Sequence, residues 1–441
     1  MSEPVVGVRA PVRAPVRLLV AGDLRLGRPP LGVPPGEPGL DVAAVVSATA
    51  DLALARGVDA LVLTGALVEP GNEHFEATGV LDRLFRRLAG AGLPVFVADP
   101  SDAVASVIGL VGSTLIQPLG RSETWGSAPI TRDGHDVLRL VGRSSFVPNV
   151  PVPPFPAGPG SDVPTVGVLH TAGDMSENEP VDLADLRALP VAAWVLGSGH
   201  VPTVLAEGDG PLVLAPGVLQ PLSPDEAGVH SAFLVTVAAD GTATAEAVSL
   251  ATLHYGTVEV DLAEAATAAD ARTLCAAALR EHAALVREAS PAVVRAVVRV
   301  RLTGRTAAFS GVDALAAELR TDADLPHAGL TVAVARVEVA AAPLLDLGRL
   351  AAGSGAVATL ARLSARLGTD GPLDPAALAP ADRALLARAS DAVRSARGAR
   401  VFEPLAADGR LDSDLGAEAA SRLRRQVSRL LDAALTPHAD G

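Results

Sequence analysis

The chain has 441 residues, a net charge of −14 at neutral pH, and a composition that is 49% hydrophobic and 20% charged. This length allows two or three domains with sizeable cores, and this composition excludes a disordered chain. The acidic balance excludes a broad, non-specific nucleic-acid surface, because phosphate binding is driven by basic groups. A single cysteine, Cys275, excludes an intrachain disulfide and a cysteine-based metal site.

The sequence shows neither a membrane-spanning pattern nor an export signal. No apolar run approaches the roughly 18–20 residues that cross a bilayer. Residues 1–15 contain prolines and arginines but lack the apolar stretch of a signal peptide, so we expect a flexible leader. We therefore expect a cytoplasmic protein that makes no membrane contact.

Residues 16–100 alternate aliphatic runs with amphipathic stretches, which predicts strands and helices in turn. The predicted strands cover residues 16–20, 59–63 and 94–97. The predicted helices run from the N-cap Asp41 to about Arg56, and from residue 75 to residue 88. Strands that alternate with helices at these distances indicate parallel pairing in an α/β sheet.

Beyond Pro100 the pattern becomes rich in predicted strands. These cover residues 137–141, 165–169, 192–196, 212–214, 232–237 and 242–248. The proline-rich run 148–164 between them is predicted to be a long surface loop. Together, residues 16–255 predict a two-sheet α/β sandwich.

Residues 256–342 predict a second, smaller α/β domain. Its strands are expected at 257–260, 293–302 and 330–339, and its helices at 263–284 and 312–319. Residues 343–441 are predicted to be almost wholly helical, and they close with an amphipathic helix at 417–435. The predicted fold class is therefore α/β, with a helical C-terminal region.

Five short segments each follow a predicted strand. Because the loops at the carboxyl ends of strands are where α/β folds gather their chemistry, these segments contain the candidate functional residues. They are residues 22–25 (Gly-Asp-Leu-Arg), 64–69 (Thr-Gly-Ala-Leu-Val-Glu), 99–102 (Asp-Pro-Ser-Asp), 168–171 (Val-Leu-His-Thr) and 197–202 (Gly-Ser-Gly-His-Val-Pro).

These segments resemble the motifs of the calcineurin-like metallophosphoesterases, and specifically of their DNA-repair exonuclease branch (SbcD and YhaO type). That family has Asp-x-His, Gly-Asp-x-x-Asp, Gly-Asn-His-Asp, Leu-His and Gly-His-x-His in the same order. The similarity covers roughly residues 16–340 and is carried by the ordered series rather than by one motif. It implies a metallophosphoesterase-type sandwich at 16–255 and a capping-like domain at 256–342.

The resemblance also implies two metal sites, and most of their ligands are replaced in this chain. The positions of the first site carry Asp23, Arg25, Ala66 and Pro202. The positions of the second site carry the shared Ala66 with Pro100, His170 and His200. The position of the family's catalytic histidine carries Ser101. Only Asp23, His170 and His200 keep a side chain that the family uses as a metal ligand.

These substitutions argue against the family's usual chemistry. A bridging carboxylate holds two cations about 3.5–4 Å apart, and Ala66 has no ligand atom to replace it. Arg25 introduces a fixed positive charge where a dication would sit. Asp23, His170 and His200 match at most a single, weak, divalent site such as one for Mn²⁺. We therefore expect no cofactor, or else one weakly bound Mn²⁺.

Each of these residues also has an ordinary structural interpretation. His170 and His200 are equally consistent with buried histidines that are hydrogen-bonded in a polar pocket. Asp23 is suited to pair with Arg25 or another arginine, and this would neutralise the former cation site. Glu69 and Asp102 are suited to cap loops or to pair with arginines.

The sequence leaves three functions open. The leading one is a degenerate, inactive exonuclease-like protein that serves as a structural or regulatory subunit. Its implied partners are an SMC-like ATPase, held by the C-terminal helices, and a second copy of the chain. Whether DNA is bound stays open, and the terminal helix is better suited to pack on its own domain than to dock a partner. The alternatives are an active metal-dependent phosphoesterase or DNA exonuclease with a rearranged site, and a module in which Arg25 binds a phosphate or nucleotide.

Overall fold

The structure of the chain is a computed structural model. It describes residues 14–34, 36–69, 71, 75–99, 101–120, 124–145, 163–171, 183–197, 201–321, 325–327, 329–367, 380–397, 422–424, 426–428, 430, 431 and 434. The chain forms two compact units. The first comprises residues 1–259, 276–301 and 318–338, and the second comprises residues 260–275, 302–317 and 339–441.

The described strands are numbered in chain order. They are β1 (Val16–Gly22), β2 (Ala60–Thr64), β3 (Val95–Ala98), β4 (Ile116–Pro118), β5 (Gly126–Arg132), β6 (His135–Ser145), β7 (Thr165–Thr171), β8 (Ala193–Gly197), β9 (Thr203–Ala206), β10 (Leu212–Ala215), β11 (Ser231–Val237), β12 (Ala243–Ser249), β13 (Leu253–Asp261), β14 (Arg295–Thr303), β15 (Arg305–Thr306), β16 (Leu325–His327), β17 (Leu330–Val339) and β18 (Ala342–Pro343).

The described α-helices are numbered in the same way. They are α1 (Val42–Arg56), α2 (Phe75–Gly90), α3 (Asp102–Val111), α4 (Leu183–Arg187), α5 (Ala268–Ala289), α6 (Val312–Thr321), α7 (Leu347–Ala351), α8 (Gly355–Leu367) and α9 (Pro380–Arg397). No helix in the described parts of the chain is long and apolar enough to cross a membrane.

Two six-stranded sheets form the larger part of the first unit. The first sheet has the order β12-β11-β1-β2-β3-β4, in which β1 to β4 are parallel while β11 is antiparallel to β1 and to β12. The second sheet has the order β5-β6-β7-β8-β10-β9, with a parallel centre and an antiparallel strand at each edge. The predicted parallel pairing of the first strands is confirmed.

The two sheets pack face to face over an aliphatic core. Side chains alternate between the faces of a strand, so β1 sends Leu18 and Val20 inward and Leu19 outward. The inward set meets Leu140 and Val168 of the second sheet, whereas the outward set packs against α1 and α2. The predicted two-sheet α/β sandwich is therefore confirmed.

The ends of α1 agree with the sequence prediction. Asp41 is the N-cap, and its Oδ1 accepts a hydrogen bond from the Ala44 N–H at 2.9 Å. Gly57 follows the helix with a φ of 54°, the left-handed conformation that glycine tolerates and that ends many helices.

Two helices depart from the sequence prediction. Residues beyond Pro100 were expected to be β-rich, but Ser101 caps α3, its Oγ accepting from the Val104 N–H at 3.3 Å. The helix expected from residue 263 begins at Ala268. Thr267 and Asp270 form a reciprocal cap, with the Asp270 carboxylate 2.8 Å from the Thr267 N–H and Thr267 Oγ1 3.2 Å from the Asp270 N–H. This cap fixes the start of α5 five residues later than the apolar pattern indicated.

The smaller sheets follow the sandwich in the chain. One has the order β13-β14-β17-β16, and the other pairs β15 with β18 in parallel. The three predicted strands at 257–260, 293–302 and 330–339 correspond to β13, β14 and β17, whereas the predicted domain division at residues 256 and 343 stays a prediction.

Helices follow in the second unit. Val427 and Leu431 of the terminal segment lie in one apolar cluster with Ala361 and Leu367 of α8. Arg424 Nε donates a hydrogen bond to the Leu367 carbonyl at 2.9 Å and strengthens the same contact. In the described part of the terminal segment, the apolar face therefore packs on its own unit.

Candidate functional site

The carboxyl ends of the two sheets meet where β2 and β8 finish. Gly197 is the last residue of β8, and a Cβ atom at this position would overlap Thr64 Oγ1 and lie 2.9 Å from the Gly65 backbone nitrogen. Glycine is therefore required for the two sheet edges to approach this closely. The predicted segments after β1, β2, β3, β7 and β8 all begin at this end of the sandwich.

Asp23 joins the loop after β1 to the loop after β2. Its side chain is buried, and its Oδ1 accepts a hydrogen bond from the Ala66 N–H at 2.9 Å. Its own N–H donates to the Thr64 carbonyl at 3.0 Å. Asp23 has a φ of 38°, so the backbone turns sharply after Gly22 and directs the carboxylate across to the neighbouring loop.

The backbone continues this pairing beyond Asp23. The Arg25 N–H donates to the Ala66 carbonyl at 3.0 Å, and Leu26 forms a parallel bridge with Val68. Both main-chain polar groups of Ala66 are thus used in holding the two loops together. Ala66 lies at the position of the metal-bridging carboxylate in the family that the sequence resembles. Here it joins the two loops through its backbone hydrogen bonds.

Asp99 extends the connection to the loop after β3. Its Oδ2 accepts from the Leu67 N–H at 2.8 Å, and its Oδ1 accepts from the Ser101 N–H at 2.7 Å. A hydrogen bond to a charged group contributes about 1.5–3 kcal/mol, so this buried carboxylate stabilises the loops appreciably. Ser101, at the position of the family's catalytic histidine, caps α3.

Glu69 lies between two arginines at the rim of the same loops. Its carboxylate is 4.0 Å from Arg25 Nη1 and 4.0 Å from Arg28 Nη1. All three side chains are partly exposed, and such pairs contribute about 1 kcal/mol or less. The interpretation of Glu69 as an arginine partner agrees with this geometry. Asp102 is the first residue of α3, where a negative charge is favourable to the helix dipole.

His170 is buried at the end of β7, and a short contact to the backbone of β8 orients its ring. Its Nδ1 lies 2.6 Å from the Gly197 carbonyl oxygen. A carbonyl can only accept, so Nδ1 is the ring nitrogen that carries the proton, and in the neutral ring Nε2 has the lone pair. This arrangement suits a buried structural histidine, and it is also the support that metal-bound histidines usually have.

The structure describes only one of the three remaining predicted residues. Pro100 and His200 lie outside the described residues, whereas Pro202 lies beside Gly217. Among the described residues, no group of three or more His, Cys, Asp and Glu side chains is arranged to hold a metal ion. Since His200 is not among them, the predicted set of Asp23, His170 and His200 stays a prediction.

A two-metal centre does not fit the residues that the structure brings together. Ala66 has no donor atom, and its peptide groups are already paired with Asp23 and Arg25. Arg25 adds a fixed positive charge to the loop that would supply two ligands of the first metal. These residues therefore do not supply the ligands that hydrolysis by a metal pair requires.

Arg143 is a buried charged residue that the sequence analysis did not single out. It is 1% exposed near the end of β6, and its Nε and Nη2 have no hydrogen-bond partner among the described residues. Its neighbour Ser144 is in register with His170, so the side chains of Arg143 and His170 lie on opposite faces of the sheet. The available signal was an arginine two residues after the predicted strand at 137–141.

The chain was compared with known proteins. No protein-family model and no curated protein matches it. Among solved structures, TT1561 of Thermus thermophilus is 14% identical, with a TM-score of 0.33 over 53% of this chain and 99% of that chain. A putative 5′-nucleotidase from Staphylococcus aureus, in complex with α-ketoglutarate, is 9% identical, with a TM-score of 0.34 over 53% of each chain.

Neither likeness carries an argument about this chain, because both scores and both identities are low. The class is defined by the molecule's own order of strands and by its packing. It is a two-sheet α/β sandwich, with two six-stranded sheets packed face to face and polar loops at their carboxyl ends.

Proposed function

We propose that this chain is a catalytically inactive protein of metallophosphoesterase-type fold that acts as a structural or regulatory subunit. The observation that carries the proposal is the hydrogen bond between Asp23 Oδ1 and the Ala66 N–H, at 2.9 Å. A carboxylate of the family's first motif is used to brace a loop, at the position where the bridging carboxylate is missing.

The other contacts of these loops support the same function. Asp99 engages both carboxylate oxygens with backbone N–H groups, and Ser101 caps a helix instead of presenting an imidazole. The loops are therefore stabilised by hydrogen bonds from the chain itself.

The DNA-repair exonuclease branch that the sequence resembles supplies the biological part of the proposal. In that setting the chain would accompany an SMC-like ATPase in the cytoplasm, as a homodimer, with or without direct DNA contact. The terminal segment already packs on α8, whereas most described residues of α9 are exposed, with Leu386 as the buried one. We therefore propose α9 as the helix that contacts the ATPase.

A second candidate function is anion binding at the same loops. Arg25 Nε is buried and has no hydrogen-bond partner among the described residues, and Arg28 lies on the other side of Glu69. A phosphate that displaces Glu69 would gain two guanidinium groups, which bind phosphate with good geometry.

The proposal is tested by metal analysis and phosphodiesterase assays on the untagged protein. Wild type is purified with Mn²⁺, dialysed and compared with His170→Ala, with Ala66→Asp and with the exposed control Glu207→Gln. We expect less than stoichiometric Mn²⁺ and no hydrolysis of bis(p-nitrophenyl) phosphate by wild type. Stoichiometric Mn²⁺ with hydrolysis, both lost in His170→Ala, would establish the active alternative instead.

Phosphate titration of the same proteins separates the second candidate from the first. Binding of inorganic phosphate that is lost in Arg25→Gln and retained in Glu207→Gln would support an anion-binding module. Absence of phosphate binding by wild type would leave the structural or regulatory function as the remaining candidate.

The proposed contact of α9 is tested with Leu385→Asp. This variant should co-purify less with a co-expressed SMC-like ATPase, and its thermal midpoint should not change.

A further inference from the structure

Two histidines outside the sandwich loops face one another in the first unit. His254 lies on β13 and His282 on α5, with their ring centroids 5.4 Å apart and their planes tilted by 51°. The Nε2 atom of each ring is buried, and neither has a hydrogen-bond partner among the described residues. Buried nitrogens without partners are rare in folded proteins and call for a physical explanation.

The two Nε2 atoms converge on the backbone of Gly256. A Cβ atom built at this glycine would lie 2.9 Å from His254 Nε2 and 2.9 Å from His282 Nε2. The nitrogens are therefore at most twice that distance apart. Gly256 has no left-handed φ, so its backbone does not require glycine; the missing side chain instead lets both rings pack directly against this backbone.

The protonation of the pair favours ligand binding. Burial, followed by the charge of His282, lowers the pKa of His254 to about 4, while a hydrogen bond to the Gly228 backbone opposes this shift. Since Nε2 of His254 has no partner, that hydrogen bond uses Nδ1 and leaves the lone pair on Nε2. Burial also lowers the pKa of His282. Both rings are thus neutral near pH 7, the form that binds metals.

His230 is close enough to affect His254 but is not available as a ligand. Its Nδ1 and Nε2 each lie 2.8 Å from a backbone carbonyl, of Val218 and Glu226 respectively. The site therefore offers two imidazole nitrogens, and part of the His282 side chain reaches solvent.

We propose that His254 and His282 form a two-histidine site for a divalent transition metal, with Nε2 of each ring as ligand and water in the remaining positions. Imidazole nitrogen suits Zn²⁺, Ni²⁺ and Cu²⁺, whereas Mg²⁺ and Ca²⁺ prefer oxygen ligands. Metal–nitrogen bonds of about 2.0–2.1 Å require the two rings to rotate until both Nε2 atoms reach one ion. The Gly228 contact holds His254 in the required tautomer.

The site is tested by titration of untagged protein with Zn²⁺ or Cu²⁺ alone. All proteins carry His170→Gln and His200→Gln, so that the loops of the sandwich cannot contribute the metal ligands. The test variants are His282→Gln and Gly256→Ala, whose methyl carbon would lie 2.9 Å from each nitrogen and push the rings away. The matched control is His135→Gln, an exposed histidine at the start of β6.

We expect the background protein and the control to bind one equivalent of Zn²⁺. Both test variants should bind Zn²⁺ at least about tenfold more weakly, because each loses one ligand or the support of a ligand. With Cu²⁺, electron paramagnetic resonance should show coupling to two nitrogens, and His282→Gln should reduce this to one. No stoichiometric binding, or binding that His282→Gln leaves unchanged, overturns the proposal. Circular dichroism establishes whether each variant is folded. If Gly256→Ala does not fold, the Zn²⁺ affinity of His282→Gln alone tests the proposal.

Discussion

Asp99 Oδ2 accepts a hydrogen bond from the Leu67 N–H at 2.8 Å, and this contact links the loop after β3 to the loop after β2. Asp99→Ala should lower the free energy of unfolding by about 2–4 kcal/mol, because it leaves the buried Leu67 N–H and the partly buried Ser101 N–H unsatisfied. Urea unfolding measures the change. Glu207→Gln, on the exposed surface, is the control and should stay within about 0.5 kcal/mol of wild type. A comparably small effect of Asp99→Ala would contradict the bracing role.

Gly197→Ala should destabilise the meeting point of the two sheets. The added methyl group overlaps Thr64 Oγ1, and overpacking of this kind costs about 1–3 kcal/mol. Thr64 Oγ1 has no hydrogen-bond partner among the described residues, so Thr64→Ala removes the overlapping atom without breaking a bond there. The double variant should therefore recover about 1 kcal/mol of the loss, measured as a coupling energy in a double-mutant cycle. Simple additivity of the two changes would mean that the sheet edges are further apart than described.

Arg143→Met should raise the stability of the protein. The guanidinium is buried and two of its nitrogens have no partner among the described residues, so an apolar side chain of similar length avoids its desolvation. Replacing a poorly paired buried charge in this way commonly stabilises by about 1–4 kcal/mol. Arg139→Met, whose guanidinium contacts Ser127, serves as the matched control in thermal melts. A fall in the melting temperature would show instead that Arg143 has an acceptor in the folded chain.

Stability of the metal-free protein should decrease on mild acidification. In the folded chain the pKa of His254 is about 4, against 6.5 for the ordinary group, chiefly because of burial. Between these values the unfolded chain binds more protons, so the stabilisation is complete above about pH 6.5 and is lost as the pH falls to about 4. The shift corresponds to at most about 3 kcal/mol. His282 and His230, which face His254, have pKa values lowered in the same direction.

The measurement is urea unfolding in EDTA at pH 8, 6 and 4.5, for wild type and His254→Gln. The variant should lose less stability than wild type over this interval. Equal losses in the two proteins would assign the acid sensitivity to groups other than His254.

The sandwich was predictable because its local signals agree. Aliphatic runs define β1, β2 and β3. Asp41 was predicted to cap α1, and its side chain accepts the expected hydrogen bond from the Ala44 N–H. The start of α5 was not predictable from apolar spacing, because the Thr267 and Asp270 cap overrides five alanine-rich positions. Likewise, the return of β11 to pair with β1 depends on contacts between distant residues, which no local pattern encodes.

The candidate site was predictable in its location but not in its chemistry. Motif order identified Asp23 and His170, both of which the structure places in buried positions at strand ends. That Asp23 accepts from the Ala66 N–H depends on a left-handed turn at Asp23 itself, and a sequence pattern carries little information on such a turn. Arg143 and the pair formed by His254 and His282 could not be predicted from the sequence. Their significance depends on buried nitrogen atoms that have no hydrogen-bond partner among the described residues.

The position of β1 in the first sheet has a consequence for how the chain folds. Val16 of β1 is in register with Val237 of β11, so one side of this central strand is unpaired until a segment far along the chain has been synthesised. An unpaired strand edge is a template for association with other chains, and contacts between distant residues form slowly. We expect fragments that end before β11 to aggregate during synthesis, and productive folding of the sandwich to wait for the arrival of β11.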